Sequence, residues 1–208
     1  MKRALPLFLL AGAIASGQDF RKFSVNLTGG AGIPRDDLRN ALSNSGGIGF
    51  TGGYRPIRYL MAEVGYETLF GAARVRDFVP TAFGNLRIRD YQQFLPFGGR
   101  VILPMLDDKL HIYGGGGGVY IRYSERLRQP FQDAGFRFEC PQCALRDGTG
   151  YYAQAGFNVA IDRAQLFRVG GGTKVYNGAT SGDPLGAVPS GDTRDRWVIV
   201  FGSFSVNF

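Results

Sequence analysis

The end of the chain, Val198-Ile199-Val200-Phe201-Gly202-Ser203-Phe204-Ser205-Val206-Asn207-Phe208, divides into two sets of alternate residues. The apolar set is Val198, Val200, Gly202, Phe204, Val206 and Phe208. The polar set contains Ser203, Ser205 and Asn207. Successive side chains of a strand point to opposite faces of a sheet. The stretch therefore predicts a β-strand with one apolar face and one polar face.

Other segments of the chain have the same strand-like character. With the last one they span 22–33, 46–55, 58–70, 90–103, 109–123, 149–162, 165–177 and 195–208. A transmembrane strand needs about 9–11 residues, whereas strands of soluble proteins average about 5–6. Tight turns alternate with long polar loops at 34–45, 71–89, 124–148 and 178–194, as in bacterial outer-membrane barrels. The sequence therefore predicts an all-β fold, namely an eight-stranded antiparallel up-and-down transmembrane β-barrel.

Residues 1–17 have the pattern of a cleavable signal peptide. A basic start and an apolar middle are followed by Ala15-Ser16-Gly17, which supplies the small residues of a cleavage site. The apolar part is well short of the roughly 20 residues that a spanning helix needs. We therefore expect cleavage before Gln18 and one barrel domain over residues 18–208.

The two faces of the strands predict what fills the barrel. A charge on the lipid face costs about 2–4 kcal/mol at mid-bilayer, so the charged set should face inward. That set is Arg55, Glu63, Glu67, Arg100, Arg122, Arg168 and Lys174. An eight-stranded barrel is narrow enough for side chains to fill, and buried charges must be paired. We expect a salt-bridged plug in which Glu63 and Glu67 pair first with Arg100.

Aromatic residues near the strand ends share the predicted lipid-facing parity. They are Tyr54, Phe70, Tyr91, Tyr113, Tyr123, Tyr151, Phe167 and Phe208. Amphipathic rings concentrate at the two membrane–water interfaces. The set therefore predicts two aromatic belts, one on the turn side and one on the loop side.

Over residues 18–208 the chain resembles the small bacterial outer-membrane β-barrels of the outer-membrane protein A and X type. In that family a final strand with this pattern is the signal read by the barrel-assembly machinery, and Phe204, Val206 and Phe208 occupy the corresponding positions. The resemblance implies a location in the bacterial outer membrane, among its lipid and lipopolysaccharide. It also implies the assembly machinery as a partner during insertion, an extracellular ligand held by the long loops, and no cofactor.

The motif Cys140-Pro141-Gln142-Cys143 lies in the longest predicted loop. A redox site would need a helix start in a βαβ context, and a metal site would need about four ligands. The only histidine, His111, is expected near the opposite rim. An oxidising exported compartment favours the third interpretation, which is a disulfide between Cys140 and Cys143.

Enzymatic and nucleic-acid-binding functions find little support in the sequence. The glycines at 114–118 lack the GK[ST] ending of a phosphate loop and lie inside a predicted strand. There is no GxSxG motif to carry a nucleophile. The net charge of +7 comes from basic residues that are spread singly along the chain, which is unlike a nucleic-acid-binding stripe. We expect neither an enzyme nor a nucleic-acid partner.

Three functions remain compatible with this pattern. The favoured one is a structural or surface-interaction barrel whose lumen is largely plugged by charged side chains. The first alternative is a small porin-like channel for ions or small solutes, because lumen glycines leave space for water. The second is a soluble lipocalin-like ligand carrier, which is also eight-stranded but has its apolar face pointing inward.

Overall fold

The computed structural model describes residues 20–39, 42–71, 78–81, 84–127, 143–185 and 188–208. The strands are β1 (Phe23–Arg35), β2 (Ser45–Ile57), β3 (Leu60–Phe70), β4 (Phe78–Thr81), β5 (Gly84–Met105), β6 (Leu110–Leu127), β7 (Leu145–Ala160), β8 (Phe167–Gly182) and β9 (Thr193–Asn207). A short 3-10 helix spans Asp36–Arg39. Within these ranges no helix is long and apolar enough to cross a membrane.

All the strands except β4 form a closed ring of antiparallel pairs. The first and last strands, β1 and β9, pair from Ser24↔Asn207 to Arg35↔Arg196. β3 pairs directly with β5, and β4 extends the sheet only as a short hairpin with the start of β5. In lipid such a ring satisfies the backbone groups and leaves no strand edge. The predicted fold class, an eight-stranded barrel, is therefore confirmed.

The strands extend further on the loop side than the sequence predicts. β5 and β6 pair from Met105↔Leu110 at the turn to Ile88↔Leu127 at the far end, whereas about 9–11 residues suffice to cross a membrane. The extra part of the hairpin carries polar residues on both faces, such as Glu125 on the inward parity and Arg89 outside. A segment that is polar on both faces resembles a loop in the sequence, so we predicted ends for these two strands that come too early.

The outer surface of the barrel is apolar. Large side chains that point away from the lumen are strongly exposed, with Leu27 at 54%, Val64 at 62% and Phe97 at 58%. An exterior of this kind is suited to lipid rather than to water. A soluble carrier has the opposite arrangement, with its apolar face inward. The exterior therefore argues against the lipocalin-like alternative.

Glycine permits close strand approach at mid-barrel. Gly117 of β6 is paired with Gly98 of β5, and a Cβ added at Gly117 would lie 2.1 Å from the carbonyl oxygen of Phe97. A Cβ added at Gly114 of the same strand would lie 3.8 Å from the carbonyl oxygen of Gln154, an ordinary van der Waals contact. The strand therefore requires glycine at 117 but tolerates a side chain at 114.

This contrast gives a matched pair of variants. We expect G117A to destabilise the barrel by about 1–3 kcal/mol, because the new methyl group collides with backbone. We expect G114A to leave stability nearly unchanged. Folded barrel migrates differently from boiled barrel on a gel, so the folded fraction across a denaturant series measures both variants. Equal stability of the two would contradict the packing described for Gly117.

Candidate functional site

Glu63 is the acceptor of one polar network inside the barrel. It projects from β3 into the lumen, and its Oε2 lies 3.1 Å from Nε of Arg100 on the adjacent β5. From the facing strand β7, the hydroxyl of Tyr152 donates to Oε1 at 2.9 Å, and the amide of Gln154 donates to the same atom. The structure thus brings Glu63 together with Arg100, and it adds two neutral donors from β7.

Glu67 is the centre of a second network, and it lies four residues further along β3 toward the loops. Its partner is Lys174 of β8, which forms an ion pair with Oε1, while the hydroxyl of Tyr176 donates to Oε2 at 2.8 Å. The Lys174 ammonium also lies 5.5 Å from the ring centre of Tyr152 and 5.8 Å from that of Phe201. The two glutamates therefore have separate cations, and Arg100 does not serve both as the sequence suggested.

An aromatic layer fills the loop-side half of the lumen. The rings of Phe94 and Tyr176 stack with centroids 4.5 Å apart, and Trp197 meets Phe94 edge-on at 6.2 Å. The indole N–H of Trp197 donates to the hydroxyl of Tyr123 at 2.9 Å. All four side chains are at most 1% exposed. This end of the barrel is therefore closed by packed rings rather than by ion pairs.

The orientation of β6 differs from the sequence prediction. Tyr113 and Tyr123, which we assigned to the aromatic belts, point into the lumen and are 4% and 1% exposed. Arg122, which we placed inside, is exposed on the outer face, where it is paired with Asp147 of the neighbouring strand β7. These three assignments are wrong, and the whole strand has the opposite parity.

Two physical reasons explain the error in β6. The glycines at 114–118 carry no side chains that could mark a face, so alternation cannot be followed through them. Aromatic side chains also fill the loop-side lumen, so an apolar residue of β6 cannot be assigned to the lipid face from its polarity alone. Arg122 is paired with Gln93 of β5 and with Asp147 of β7 near the loop-side end of the strands, where an outward charge costs less than it does at mid-bilayer.

The other predicted belt residues lie on the outer surface. Tyr54, Phe70, Tyr151 and Phe167 are between 40% and 63% exposed. Phe70 and Tyr91 meet edge-on at 6.0 Å on the loop side. On the turn side, Phe23 stacks with Phe208 at 6.1 Å. Phe204 is also exposed, and Val206 is half-buried on the same outward parity.

Arg146 fixes the last long loop to the top of the barrel, a role that we did not predict from the sequence. It is 1% exposed and lies inside the ring near the start of β7. Its guanidinium donates to the carbonyl oxygens of Pro189 at 3.0 Å and Gly191 at 3.1 Å, and to the hydroxyls of Thr193 at 2.8 Å and Thr180 at 3.2 Å. Extending the inward parity of Tyr152 and Gln154 back along β7 would have found it.

The turn-side end of the lumen is open and basic. A cavity of ≈990 Å³ is lined by Arg21, Lys22, Arg55, Arg58, Arg163 and Arg168, with Asp107 and Asp108 as its acidic side chains. The interior cavities are much smaller, at ≈20 Å³ and ≈10 Å³. Among the described residues, this wider space therefore lies at the turn-side end of the lumen.

Asp108 is the counter-charge at this open end. Its Oδ1 lies 3.0 Å from Nε2 of His111 and 3.6 Å from Arg58, and its Oδ2 lies 3.9 Å from Arg168. Burial alone would raise the pKa of Asp108, but the hydrogen bond with His111 and the charges of Arg168 and Arg58 lower it below its usual value. One ionised carboxylate is thus shared by three basic groups.

Some sequence predictions lie outside the described residues. These are the signal peptide at 1–17 and Cys140, so the cleavage and the disulfide with Cys143 stay predictions. The part of the chain that the structure describes contains no group of three or more His, Cys, Asp or Glu side chains placed to hold a metal ion.

Comparisons with known proteins point to the same architecture. No protein-family model matches the chain, and no curated protein matches it. Neisserial surface protein A superposes with a TM-score of 0.52 at 13% identity, over 89% of this chain and 97% of that one. The outer membrane protein OprG from Pseudomonas aeruginosa superposes with a TM-score of 0.52 at 15% identity, over 90% and 97%. At these identities the likeness shows the fold, which is that of a small outer-membrane β-barrel.

The buried pair of Glu67 and Lys174 allows a stability prediction. We expect E67Q to lower the free energy of unfolding by about 3–5 kcal/mol, because it leaves the Lys174 charge buried without a partner. The double variant E67Q/K174M should recover much of that loss. The exposed loop substitution D192N serves as control and should change stability by less than about 0.5 kcal/mol. Denaturant titration in detergent measures all three, and equal effects of E67Q and D192N would contradict a buried ion pair.

Proposed function

We propose that this small outer-membrane β-barrel is a non-conducting, non-enzymatic surface protein, whose filled barrel holds an interaction surface outside the membrane. The observation that carries the proposal is the filling of the lumen above the turn-side mouth. Two glutamate-centred networks and an aromatic layer occupy it, and two cavities beside them measure ≈20 Å³ and ≈10 Å³. Cavities of this size hold about one water molecule each, which leaves no continuous path for a hydrated ion between them.

The protruding strands supply the interaction surface in this proposal. The paired length of β5 and β6 continues past the level of Phe70 and Tyr91, and β7 and β8 stay paired as far as Arg146↔Gly182. Hydrogen-bonded strands hold their side chains more rigidly than an irregular loop does. Outward residues such as Arg89 and Arg126 are exposed there, and Arg122 and Asp147 are exposed slightly nearer the membrane. Together they would offer mixed charges to an extracellular ligand.

Arg146 supports the same role, because it makes part of the last loop rigid. Its contacts with the carbonyl oxygens of Pro189 and Gly191 hold that loop against the barrel top. A fixed loop loses less conformational entropy when a partner binds. Neisserial surface protein A, which has a similar fold, is by its name a surface protein, and this supports the proposed role.

Conductance distinguishes the proposal from the porin-like alternative. We expect the purified full-length protein to give no discrete current steps in a planar lipid bilayer, because the Glu63 and Glu67 networks and the aromatic layer block the lumen. Insertion must be verified in the same sample by its heat-modifiable gel mobility. Steady, reproducible steps from inserted protein would refute the plugged barrel and favour a small pore.

Orientation can be tested with a matched pair of labelling sites. In a background that carries C140S and C143S, D192C lies in an exposed loop on the long-loop side, and R163C lies in an exposed turn on the opposite side. A membrane-impermeant maleimide should label D192C on intact cells, and it should label R163C only after the outer membrane is permeabilised. The reverse pattern would overturn the surface assignment of the long loops.

A further inference from the structure

The open turn-side mouth contains charged groups whose pairing is incomplete. Arg55 of β2 and Arg168 of β8 are each 3% exposed, so both guanidinium groups are almost completely removed from water. Nε of Arg55, and Nε and Nη1 of Arg168, have no hydrogen-bond partner among the described residues. Buried donors of this kind are rare in native proteins, and an ion or water that completes them is a common explanation.

The nearby acceptors do not balance the two arginines. Nη2 of Arg55 donates to the carbonyl oxygen of Arg58 at 2.6 Å, and Nη2 of Arg168 donates to the carbonyl oxygen of Asp108 at 2.7 Å. Carbonyl oxygens accept hydrogen bonds but carry no net charge. Among the described residues, the only carboxylate within 4 Å of either arginine is Asp108, which His111 and Arg58 share, while Asp162 acts on Arg168 from further away. Since a buried charge needs a counter-charge, this end of the lumen lacks negative charge.

The turn that carries Asp108 is held in a costly conformation. Leu106, Asp107 and Asp108 all have left-handed backbone angles, with φ of 53°, 54° and 67°. Each such residue other than glycine costs roughly 1–2 kcal/mol. Strain of this kind persists when surrounding contacts over-determine it and is concentrated at functional sites. Here it directs the Asp108 carbonyl and carboxylate toward Arg168 and His111.

The space in front of the arginines is large enough for a ligand. Arg55 and Arg168 line both the ≈990 Å³ mouth and the ≈20 Å³ cavity directly inside it. Small-molecule sites commonly measure about 300–1,000 Å³. Six basic side chains line the mouth against two acidic ones. Guanidinium groups bind tetrahedral oxyanions through paired N–H donors, which favours phosphate over a simple halide.

We propose that the turn-side mouth is a binding site for a phosphate group, with Arg55 and Arg168 as its main ligands. Lys22, Arg21, Arg58 and Arg163 add positive charge around the entrance. Asp108 orients Arg168 and competes with the incoming anion. This site lies at the opposite end of the barrel from the surface proposed for extracellular interaction, and neither proposal depends on the other. The phosphate can belong to a free anion or to a phospholipid headgroup of the adjacent leaflet.

Calorimetric titration of the full-length barrel tests the site. The protein is held in octyl glucoside, which carries no phosphate, and inorganic phosphate is the first probe. A second arm uses mixed micelles of octyl glucoside and a short-chain phosphatidylglycerol. Saturable binding of inorganic phosphate would identify a free anion as sufficient. Saturation in the lipid arm alone, if it depends on Arg55 and Arg168, would identify a headgroup as the source of the phosphate.

Variants with opposite expected signs distinguish binding from misfolding. R55Q and R168Q should each weaken phosphate binding at least about ten-fold, since each removes a charge-assisted donor. D108N should strengthen it several-fold, because the competing carboxylate is gone. R122Q changes an arginine on the outer face at the other end and should have no effect. Heat-modifiable mobility verifies that each variant is folded.

Three results would overturn the proposal. The first is the absence of saturable binding in both arms, which would mean that water alone accepts hydrogen bonds from the unpaired donors of Arg55 and Arg168. The second is equal weakening by R55Q, R168Q and R122Q, which would indicate only a general electrostatic attraction. The third is weaker binding by D108N, which contradicts its role as competitor and does not rely on the arginine variants being folded.

Discussion

Closure of the strand ring is the constraint on which the rest of this protein depends. The backbone N–H and C=O groups of a spanning strand have no water to bond with in lipid, so β1 must pair with β9 and β3 with β5. Closing only eight strands leaves an interior about as wide as the side chains that fill it. Each charge that enters this space must meet a partner there, which explains why Glu63 and Glu67 each bind both a cation and a tyrosine hydroxyl.

The two ends of the lumen differ in how their charged and polar groups are paired. Toward the long loops, stacked rings and the many acceptors of Arg146 exclude water and satisfy the donors. Toward the tight turns, the charged groups outnumber their acceptors, and the cavity remains open. The loop-side end is thus packed with rings, whereas the turn-side end has an accessible cavity. This difference supports the two proposals made above, in which the loop side contacts a partner outside the membrane and the turn-side cavity binds a phosphate group.

Much of the fold could be predicted from the sequence, because membrane strands must be long and alternate. Strands β3, β8 and β9 each carry enough side chains of contrasting polarity to define both faces, and the inward placement of Glu63, Arg168 and Lys174 follows from that contrast. The face of β6 could not be predicted in this way, because its glycines interrupt the alternation and its inward residues are aromatic. The specific partner of each charged side chain in the lumen could not be predicted from the sequence either. Lys174 and Glu67 are far apart in sequence, and only the curvature of the closed barrel brings them together.

Trp197 is the only tryptophan in the chain, and its place in the aromatic layer has an optical consequence. Its indole is 0% exposed and is held by Tyr123 and Phe94. The strongest intrinsic fluorophore of the protein is therefore shielded from lipid as well as from solvent. Its emission reports the assembly of one end of the barrel, independently of detergent or bilayer around it. A spectroscopist could follow how the loop-side end forms during insertion without attaching any dye.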